Sequence, residues 1–340
     1  MSLWLLILSF IAAACVVWWA GSHLPHYVVA ISERTGLGQG FAGMLLLGGI
    51  TSLPEVSTTL SAASLGASSL ALNNVLGSVA FNIVLLALAD MVLGRRPLTS
   101  VVARPVTLIQ GVLGIMLLAV VATAIGVGEV PFLGVGVWSS VLLILCVAAL
   151  GLAHRSERRP MWMVVNPPTL EPEGHGDEAS LTPRQLVWGT FGLAMLILAA
   201  GTVLANTGDA IALRTGIGGG LVGLIFLALA TSLPELSSIT AAVRQRRYEL
   251  AVGEVFGSNL FNLTLIFLID RASPGPPVLA AATSFEIVAA LLGLMLTGLY
   301  VLGLIERRDR TFVRMGYDSI AAIVLYGLGL FWLVRIASPG

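Results

Sequence analysis

One stretch of sequence occurs twice in this chain. Residues 51–90 read TSLPEVSTTLSAASLGASSLALNNVLGSVAFNIVLLALAD, and residues 231–270 read TSLPELSSITAAVRQRRYELAVGEVFGSNLFNLTLIFLID. The two copies align without a gap when the numbering is shifted by 180, and they are identical at 17 of 40 positions. The same shift aligns the Arg-Thr-Gly tripeptide at 34–36 with its copy at 214–216. The chain therefore consists of two related halves.

Composition indicates that both halves are embedded in lipid. Hydrophobic residues make up 57% of the chain and charged residues 11%, whereas soluble domains carry about 25% charged residues. Apolar runs of about 20 residues, long enough to cross roughly 30 Å of hydrocarbon, recur from end to end. We predict an all-α membrane protein with ten transmembrane helices at about 3–21, 38–65, 71–93, 101–122, 132–153, 185–204, 217–243, 250–269, 277–304 and 315–336.

The arginines give the expected orientation. The chain has 18 basic residues, all Arg, and its formal net charge is zero, which argues against a nucleic-acid partner. Only Arg214, Arg271 and Arg335 fall on one side of the predicted membrane, and the other 15 fall on the opposite side. Because cytoplasmic loops carry the excess of basic residues, both termini are expected outside, in a multi-pass protein of the plasma (inner) membrane.

The number of predicted spans makes the repeat an inverted one. Five spans, an odd number, separate the starts of the two copies, so the copies point in opposite directions through the membrane. We therefore expect two inverted five-helix halves, residues 1–153 and 185–340, joined by a Pro-rich, acidic cytoplasmic linker at 154–184. Inverted repeats are typical of secondary transporters, whose substrate site lies near the midplane at interrupted helices.

Each copy carries its own interruption. Pro54 and Pro234 have no backbone N–H, so each breaks the helical hydrogen-bond ladder in the middle of an apolar span. Glu55 and Glu235 follow directly. An ionisable residue inside a membrane costs several kcal/mol and is a functional candidate by default. The sequence predicts that the two carboxylates converge at mid-membrane, the other interpretation being a protonated Glu hydrogen-bonded to a neighbouring helix.

Uncharged side chains with oxygen atoms that can bind a cation lie near both glutamates in the sequence. Helical spacing places Thr51 and Ser52 on one face with Glu55, and the second copy repeats this arrangement. The candidate oxygen donors are Thr51, Ser52, Ser78, Asn82, Thr231, Ser232, Ser258 and Asn262. Calcium takes six to eight oxygen ligands, whereas softer metals prefer nitrogen or sulfur. Two carboxylates balance one calcium ion, or a small cluster of sodium ions or protons. Polar contacts between helices remain the other interpretation of Ser and Asn.

The duplicated TSLPE and GS-x-x-x-N segments resemble the alpha repeats of the cation/calcium exchanger superfamily, in particular the sodium/calcium exchangers. The resemblance implies that Glu55 and Glu235 are central calcium ligands, together with the backbone carbonyls of Thr51 and Thr231. It assigns Ser52, Ser78, Ser232 and Ser258 to flanking sodium sites and places Asn82 and Asn262 at the border of the centre. It implies a secondary active antiporter that moves small inorganic cations, Ca²⁺ and Na⁺, by alternating access, and neither an enzyme nor a cofactor-binding protein.

Among the departures from the family pattern, two bear on the transported ions. Asn262 stands where potassium-dependent members carry Asp, which argues against potassium co-transport. Glu254 replaces the usual Asn, and spacings of four put it on one helical stripe with Ser258 and Asn262, toward the cytoplasmic end. We expect a solvated interfacial side chain there, the alternatives being a cation-gathering group or a carrier of a coupling proton.

Asp90 and Asp270 are expected at the interface, near arginines.

Three other functions stay open at this point. A proton-coupled cation exchanger would use the same glutamates as proton carriers. A cation channel would place carboxylates in a pore. An intramembrane enzyme is disfavoured, because the predicted spans contain no Ser/His pair, HExxH motif or Asp dyad. The sequence leaves the oligomeric state open.

Overall fold

The fold is taken from a computed structural model, which describes residues 2–94, 96–102, 104–158, 180–215, 231–308 and 310–337. Of the side chains in these ranges, those at 209, 212, 213 and 337 are not described. Most of the predicted linker at 154–184 lies outside the described residues, as does the first part of the span predicted at 217–243. The described residues are nearly all helical, which confirms the predicted all-α class.

The first half contains a series of helices and one short hairpin. They are α1 (Leu3–Thr35), α2 (Gln39–Ala42), a π-helical segment (Gly43–Leu47), α3 (Gly48–Thr51), α4 (Leu53–Ser64), α5 (Ser68–Leu93), α6 (Leu98–Val101), α7 (Pro105–Val127), β1 (Pro131–Phe132), β2 (Val135–Gly136) and α8 (Val137–Arg158).

The second half repeats this order after the same shift in numbering. Its elements are α9 (Pro183–Thr215), α10 (Leu233–Arg244), α11 (Tyr248–Ala272), a 3₁₀ turn (Val278–Ala280), α12 (Ser284–Glu306), β3 (Thr311–Phe312), β4 (Met315–Gly316) and α13 (Tyr317–Ala337). Both ends of α9 coincide with the ends of α1 after this shift, and the two antiparallel hairpins coincide as well. The sequence repeat is therefore also a structural repeat.

Eight described helices are long and apolar enough to cross a membrane: α1, α5, α7, α8, α9, α11, α12 and α13. The remaining two predicted spans are the interrupted ones, of which α2 to α4 form the first. The prediction that the first span ends at residue 21 is wrong, because α1 continues through Pro25 to Thr35. It ends at Gly36, whose φ of 70° gives the left-handed cap that favours glycine.

Burial separates central helices from peripheral ones. In α5 and in α11, 78% of an apolar 18-residue stretch of the helix is buried within the protein, against 22% in α1 and in α13. The two central helices pack against each other, and α11 also contacts α2, the π-helical segment and α3. Since the motif residues lie on α5, α11 and the interrupted helices, the repeat forms the protein's interior and the peripheral helices present apolar side chains outward.

Glycines let the interrupted helix approach α11 backbone to backbone. A Cβ at Gly257 would overlap the backbone of Met44, and one at Gly253 would overlap the carbonyl of Gly40. On the interrupted helix, a Cβ at Gly43 would likewise overlap the backbone of Leu250 on α11. Small residues at such crossings are typical of membrane helix pairs, because they allow close packing. This contact brings the helix that leads into TSLPE directly against the second GS-x-x-x-N segment.

Two buried aspartates join the halves. Asp90 accepts hydrogen bonds from the Gly316 N–H (2.7 Å), the Ser319 hydroxyl (2.7 Å) and the Leu98 N–H.

Asp270 makes the equivalent bonds to the Gly136 N–H (2.8 Å), the Ser139 hydroxyl (2.6 Å) and the Val278 N–H (2.7 Å). Asp90 and Asp270 are 1% and 3% exposed, and the hydrogen-bond partners that the structure describes for them are N–H groups and hydroxyls rather than the expected arginines. Each accepts from one N–H group and one serine hydroxyl at the start of a helix in the opposite half, where the helix dipole also favours a carboxylate, and from one N–H group of its own half.

The glycine contact predicts the effect of a single methyl group. Gly257→Ala should lower the thermal unfolding temperature of the purified protein, because overpacking at a rigid backbone contact costs about 1–3 kcal/mol. Gly151→Ala is the matched control, since no described atom lies within 4 Å of a Cβ there. Equal unfolding temperatures for the two variants would contradict the backbone contact.

Candidate cation site

The TSLPE motif forms a break between two short helices. The helix α3 ends at Thr51, and α4 begins at Leu53 with Pro54 in its first turn. The Ser52 N–H donates to the Gly48 carbonyl at 3.3 Å, and the next described bond of the ladder runs from Val56 to the Ser52 carbonyl at 3.0 Å. The break places Glu55 in the first turn of α4, where exposed N–H groups and the helix dipole favour a negative charge.

The second copy has the same local form. The helix α10 begins at Leu233 directly after Ser232, with Pro234 and Glu235 in its first turn. The Leu236 N–H donates to the Ser232 carbonyl at 3.0 Å, as Val56 does in the first copy.

Each break packs on a glycine of a long helix from the opposite half. A Cβ at Gly201 of α9 would overlap the ring of Pro54. A Cβ at Gly21 of α1 would lie 3.0 Å from the Pro234 carbonyl and overlap the Ser237 hydroxyl. These two glycines occupy equivalent positions in the repeat. The long helices therefore hold both breaks at the centre of the molecule by reciprocal contacts.

The two glutamates are both buried. Glu55 is 2% exposed and Glu235 is fully buried. Ser258 links them, because its hydroxyl contacts both Glu235 and the hydroxyl of Ser52, three residues before Glu55. One oxygen of Glu235 accepts a hydrogen bond from the Ser258 hydroxyl at 3.3 Å. The Oε2 atoms of both glutamates have no hydrogen-bond partner among the described residues. The two glutamates thus belong to one buried polar cluster in which Ser258 links the two motifs.

Hydrogen bonds between polar side chains connect the halves beside these glutamates. The hydroxyl oxygens of Ser52 and Ser258 lie 2.6 Å apart. The Asn82 amide nitrogen donates to the Ser258 hydroxyl at 3.1 Å and to the Asn259 amide oxygen at 3.0 Å. Asn259 in turn donates to the Val79 carbonyl at 3.2 Å. Because the donors of Asn82 are used in this way, its amide oxygen is left available as a ligand.

Several buried oxygens of the candidate site lack a partner. Within the part of the chain that the structure describes, no hydrogen bond reaches Glu55 Oε2, Asn82 Oδ1, Ser232 Oγ, Glu235 Oε2 or Asn262 Oδ1. A buried polar atom without a partner costs about 1–3 kcal/mol, so such a cluster calls for an explanation. These oxygens are hard, and two of them belong to carboxylates. The arrangement therefore fits a hard cation such as calcium or sodium.

The other predicted site residues are buried, but their contacts differ. The Thr51 hydroxyl donates to the Leu47 carbonyl at 3.0 Å. Thr231 is 3% exposed. Ser78 is 6% exposed and lines an apolar cavity with Asn73 and Asn74. No hydrogen bond between Ser78 and the site described above is found in the described ranges. Ser78 is thus the predicted ligand that the structure connects least to the glutamates.

Glu254 is not the solvated side chain expected from the sequence. It is fully buried, and the Ser238 hydroxyl donates to its Oε1. The close approach of Gly48 to the Glu254 backbone and the neighbouring α10 cover this position. The spacing of four from Glu254 to Ser258 indicated the shared stripe. The burial of Glu254 follows from packing between segments that are far apart in sequence, and spacing alone does not predict such packing.

Comparison with known proteins decides the family. The family described as "Sodium/calcium exchanger protein" matches residues 5–161 and 186–335. The chain belongs to this family. It is a family of membrane transporters, so the protein is a multi-pass integral membrane protein and the resemblance found in the repeats is confirmed.

Individual relatives agree with this assignment. The chain is 28% identical over 303 residues to the protein named "Putative antiporter CaxA" of Alkalimonas amylolytica, covering 86% of this chain and 89% of the relative. It is 29% identical over 249 residues to "Inner membrane protein YrbG" of Escherichia coli strain K12, covering 71% of both. A solved structure of the sodium-calcium exchanger NCX_Mj has the same fold, with a TM-score of 0.70 and 18% identity, covering 97% of this chain and 99% of that one.

The exchanger fold predicts opposite effects for two buried carboxylates. In buffer free of sodium and calcium, Glu235→Gln should not lower the unfolding temperature, because it removes a buried carboxylate that has no basic partner among the described residues. It should abolish the stabilisation by added calcium, which follows binding to the folded state. Asp270→Asn is the control and should lower the unfolding temperature, since that carboxylate has three hydrogen-bond donors. Retained calcium stabilisation in Glu235→Gln would contradict the site.

Proposed function

We propose that this protein is a secondary active antiporter that exchanges sodium for calcium by alternating access at the Glu55–Glu235 site. The observation that carries the proposal is the cluster of buried, unpartnered oxygens around two carboxylates from opposite halves. A divalent cation would neutralise both charges and supply the missing partners. Two monovalent cations would satisfy the same charge. One site can therefore accept either ion, which is the requirement for exchange.

The proposed ligands are those of the sequence prediction. Glu55 and Glu235 hold calcium together with the backbone carbonyls of Thr51 and Thr231, and Asn82 and Asn262 border the centre. Ser52, Ser78, Ser232 and Ser258 contribute to flanking sodium sites. Membership in the sodium/calcium exchanger family supports this choice of ions, as does the fold shared with the sodium-calcium exchanger NCX_Mj.

The proposed topology has ten spans in two inverted halves with both termini outside, in the plasma (inner) membrane. The recurrence of every described long helix after the same shift in numbering supports the two halves. The distribution of arginines supports the orientation. The name of the Escherichia coli relative, "Inner membrane protein YrbG", supports the inner membrane as the location.

Alternating access follows from an enclosed site. A fully buried ion must wait until one group of helices moves relative to the other before it leaves. The central helices α5 and α11 are held by reciprocal contacts, whereas α1 and α9 pack mainly on each other and on the two breaks. We infer that this outer pair moves past the central site and exposes it to each side in turn. Neutralised carboxylates favour this movement, because uncompensated charges resist transfer through an apolar passage.

Calcium uptake into proteoliposomes tests the function. Vesicles loaded with sodium and diluted into sodium-free buffer should take up radioactive calcium, and potassium-loaded vesicles should not. Glu55→Gln and Glu235→Gln should each reduce uptake at least tenfold, since each removes one of two charges that balance calcium, a loss of more than about 1.4 kcal/mol. Glu157→Gln is the control, because Glu157 is a buried carboxylate next to Arg104 at 3.7 Å, outside the site.

The same vesicles separate the proton-coupled alternative. Calcium uptake that follows an imposed pH gradient, and that needs no internal sodium, would replace sodium by protons as the coupling ion. Uptake that saturates without any counter-ion gradient would contradict exchange altogether and favour a channel. Full uptake by Glu55→Gln would exclude that residue from the site.

A further inference from the structure

Glu254 breaks the symmetry of the repeat. The equivalent position in the first half is Asn74, whose amide donates to the Thr59 hydroxyl at 3.0 Å. The second half therefore carries a buried carboxylate that has no counterpart at the equivalent position of the first half. It lies one helical turn from Ser258 on α11, toward the end of that helix that begins at Tyr248.

The surroundings of Glu254 are polar and close to the exchange site. Ser238 on α10 donates to one carboxylate oxygen. Gly48, which lies three residues before Thr51 on the same helix face, packs against the Glu254 carbonyl, so Thr51 faces this part of α11. Ser258, one turn further along α11, donates to Glu235 at 3.3 Å. The second carboxylate oxygen, Oε2, is buried and has no hydrogen-bond partner among the described residues. One oxygen of this buried carboxylate is thus held by Ser238, and the other is left for a further partner.

No described basic side chain forms an ion pair with Glu254. At the cytoplasmic end of α11, Arg104 is engaged by Glu249 at 3.1 Å and by Glu157 at 3.7 Å. The segment 216–230, which the structure does not describe, contains no charged residue. A buried carboxylate without a counter-charge is strongly unfavourable. The missing charge must come from a cation or a proton that is bound there.

We propose that Glu254, Ser238 and Thr51 form a subsite for one monovalent cation on the cytoplasmic side of the two central glutamates. The inference rests on the proposed function, in which that cation is sodium. The charge argument selects a monovalent ion: one calcium already balances Glu55 and Glu235, which leaves a single negative charge on Glu254. Hydroxyl and carboxylate oxygens are suitable ligands for such an ion. When the exchange site opens to the cytoplasm, this subsite lies between the cytoplasmic solution and the two central glutamates.

The symmetry of the chain supplies the test variant. Glu254→Asn installs the residue that the first half carries at the equivalent position, Asn74. In sodium-driven calcium uptake, it should lower the Hill coefficient for sodium by about one, because one cooperative site is lost. In detergent without calcium, it should also flatten the rise of the unfolding temperature with sodium concentration. Glu157→Gln should leave both sodium responses as in the wild type.

A second variant guards against misfolding. Ser238→Ala keeps the carboxylate and removes one ligand, so it should shift the sodium titration to several-fold higher concentration. Unchanged sodium titrations in both Glu254→Asn and Ser238→Ala would overturn the proposal. A loss of pH dependence in Glu254→Asn with an unchanged Hill coefficient for sodium would also overturn it and would identify a proton site. If wild-type vesicles show no sodium-driven uptake, the proposed function fails, and the thermal titration alone decides the subsite.

Discussion

The rest of the structure depends on two carboxylates placed in a lipid-embedded bundle without a basic partner among the described residues. Glu55 and Glu235 come from opposite halves, are buried, and repel each other as like charges when both are ionised. In water this repulsion would be about 1 kcal/mol at 4 Å, but it grows as the effective dielectric constant falls. Only a bound cation or protonation relieves it. The pair is therefore an unfavourable arrangement for the empty protein and a favourable one for an ion carrier, a trade between stability and function that is common at binding sites.

Reciprocal contacts hold this arrangement in place. Gly201 and Gly21 let the long helices α9 and α1 pack on the prolines that break the site helices. Asp90 and Asp270 each fix the start of a helix in the other half through one backbone N–H group and one serine hydroxyl. None of these contacts touches the proposed ion. Because each contact recurs at the equivalent position of the repeat, each half supplies the support for the other half's break, and neither half encloses the site alone.

The sequence predicted the parts of the site that local chemistry determines. The duplicated proline and glutamate required a helix break and a buried charge, and the Ser-x-x-x-Asn spacing placed two oxygens on one face. What it missed depends on contacts between distant segments. The burial of Glu254 follows from the approach of Gly48 and α10. Two partners of Asp90 lie in the other half of the chain, and charge spacing alone suggested the nearby arginines instead. The length of α1 was missed because Pro25 does not end it.

The most direct test of the central claim is anomalous diffraction from crystals of the protein soaked with calcium. We predict an anomalous peak between Glu55 and Glu235, about 2.3–2.6 Å from carboxylate oxygens of both residues. A calcium peak that contacts neither glutamate, in crystals that retain both side chains in their buried positions, would contradict this prediction.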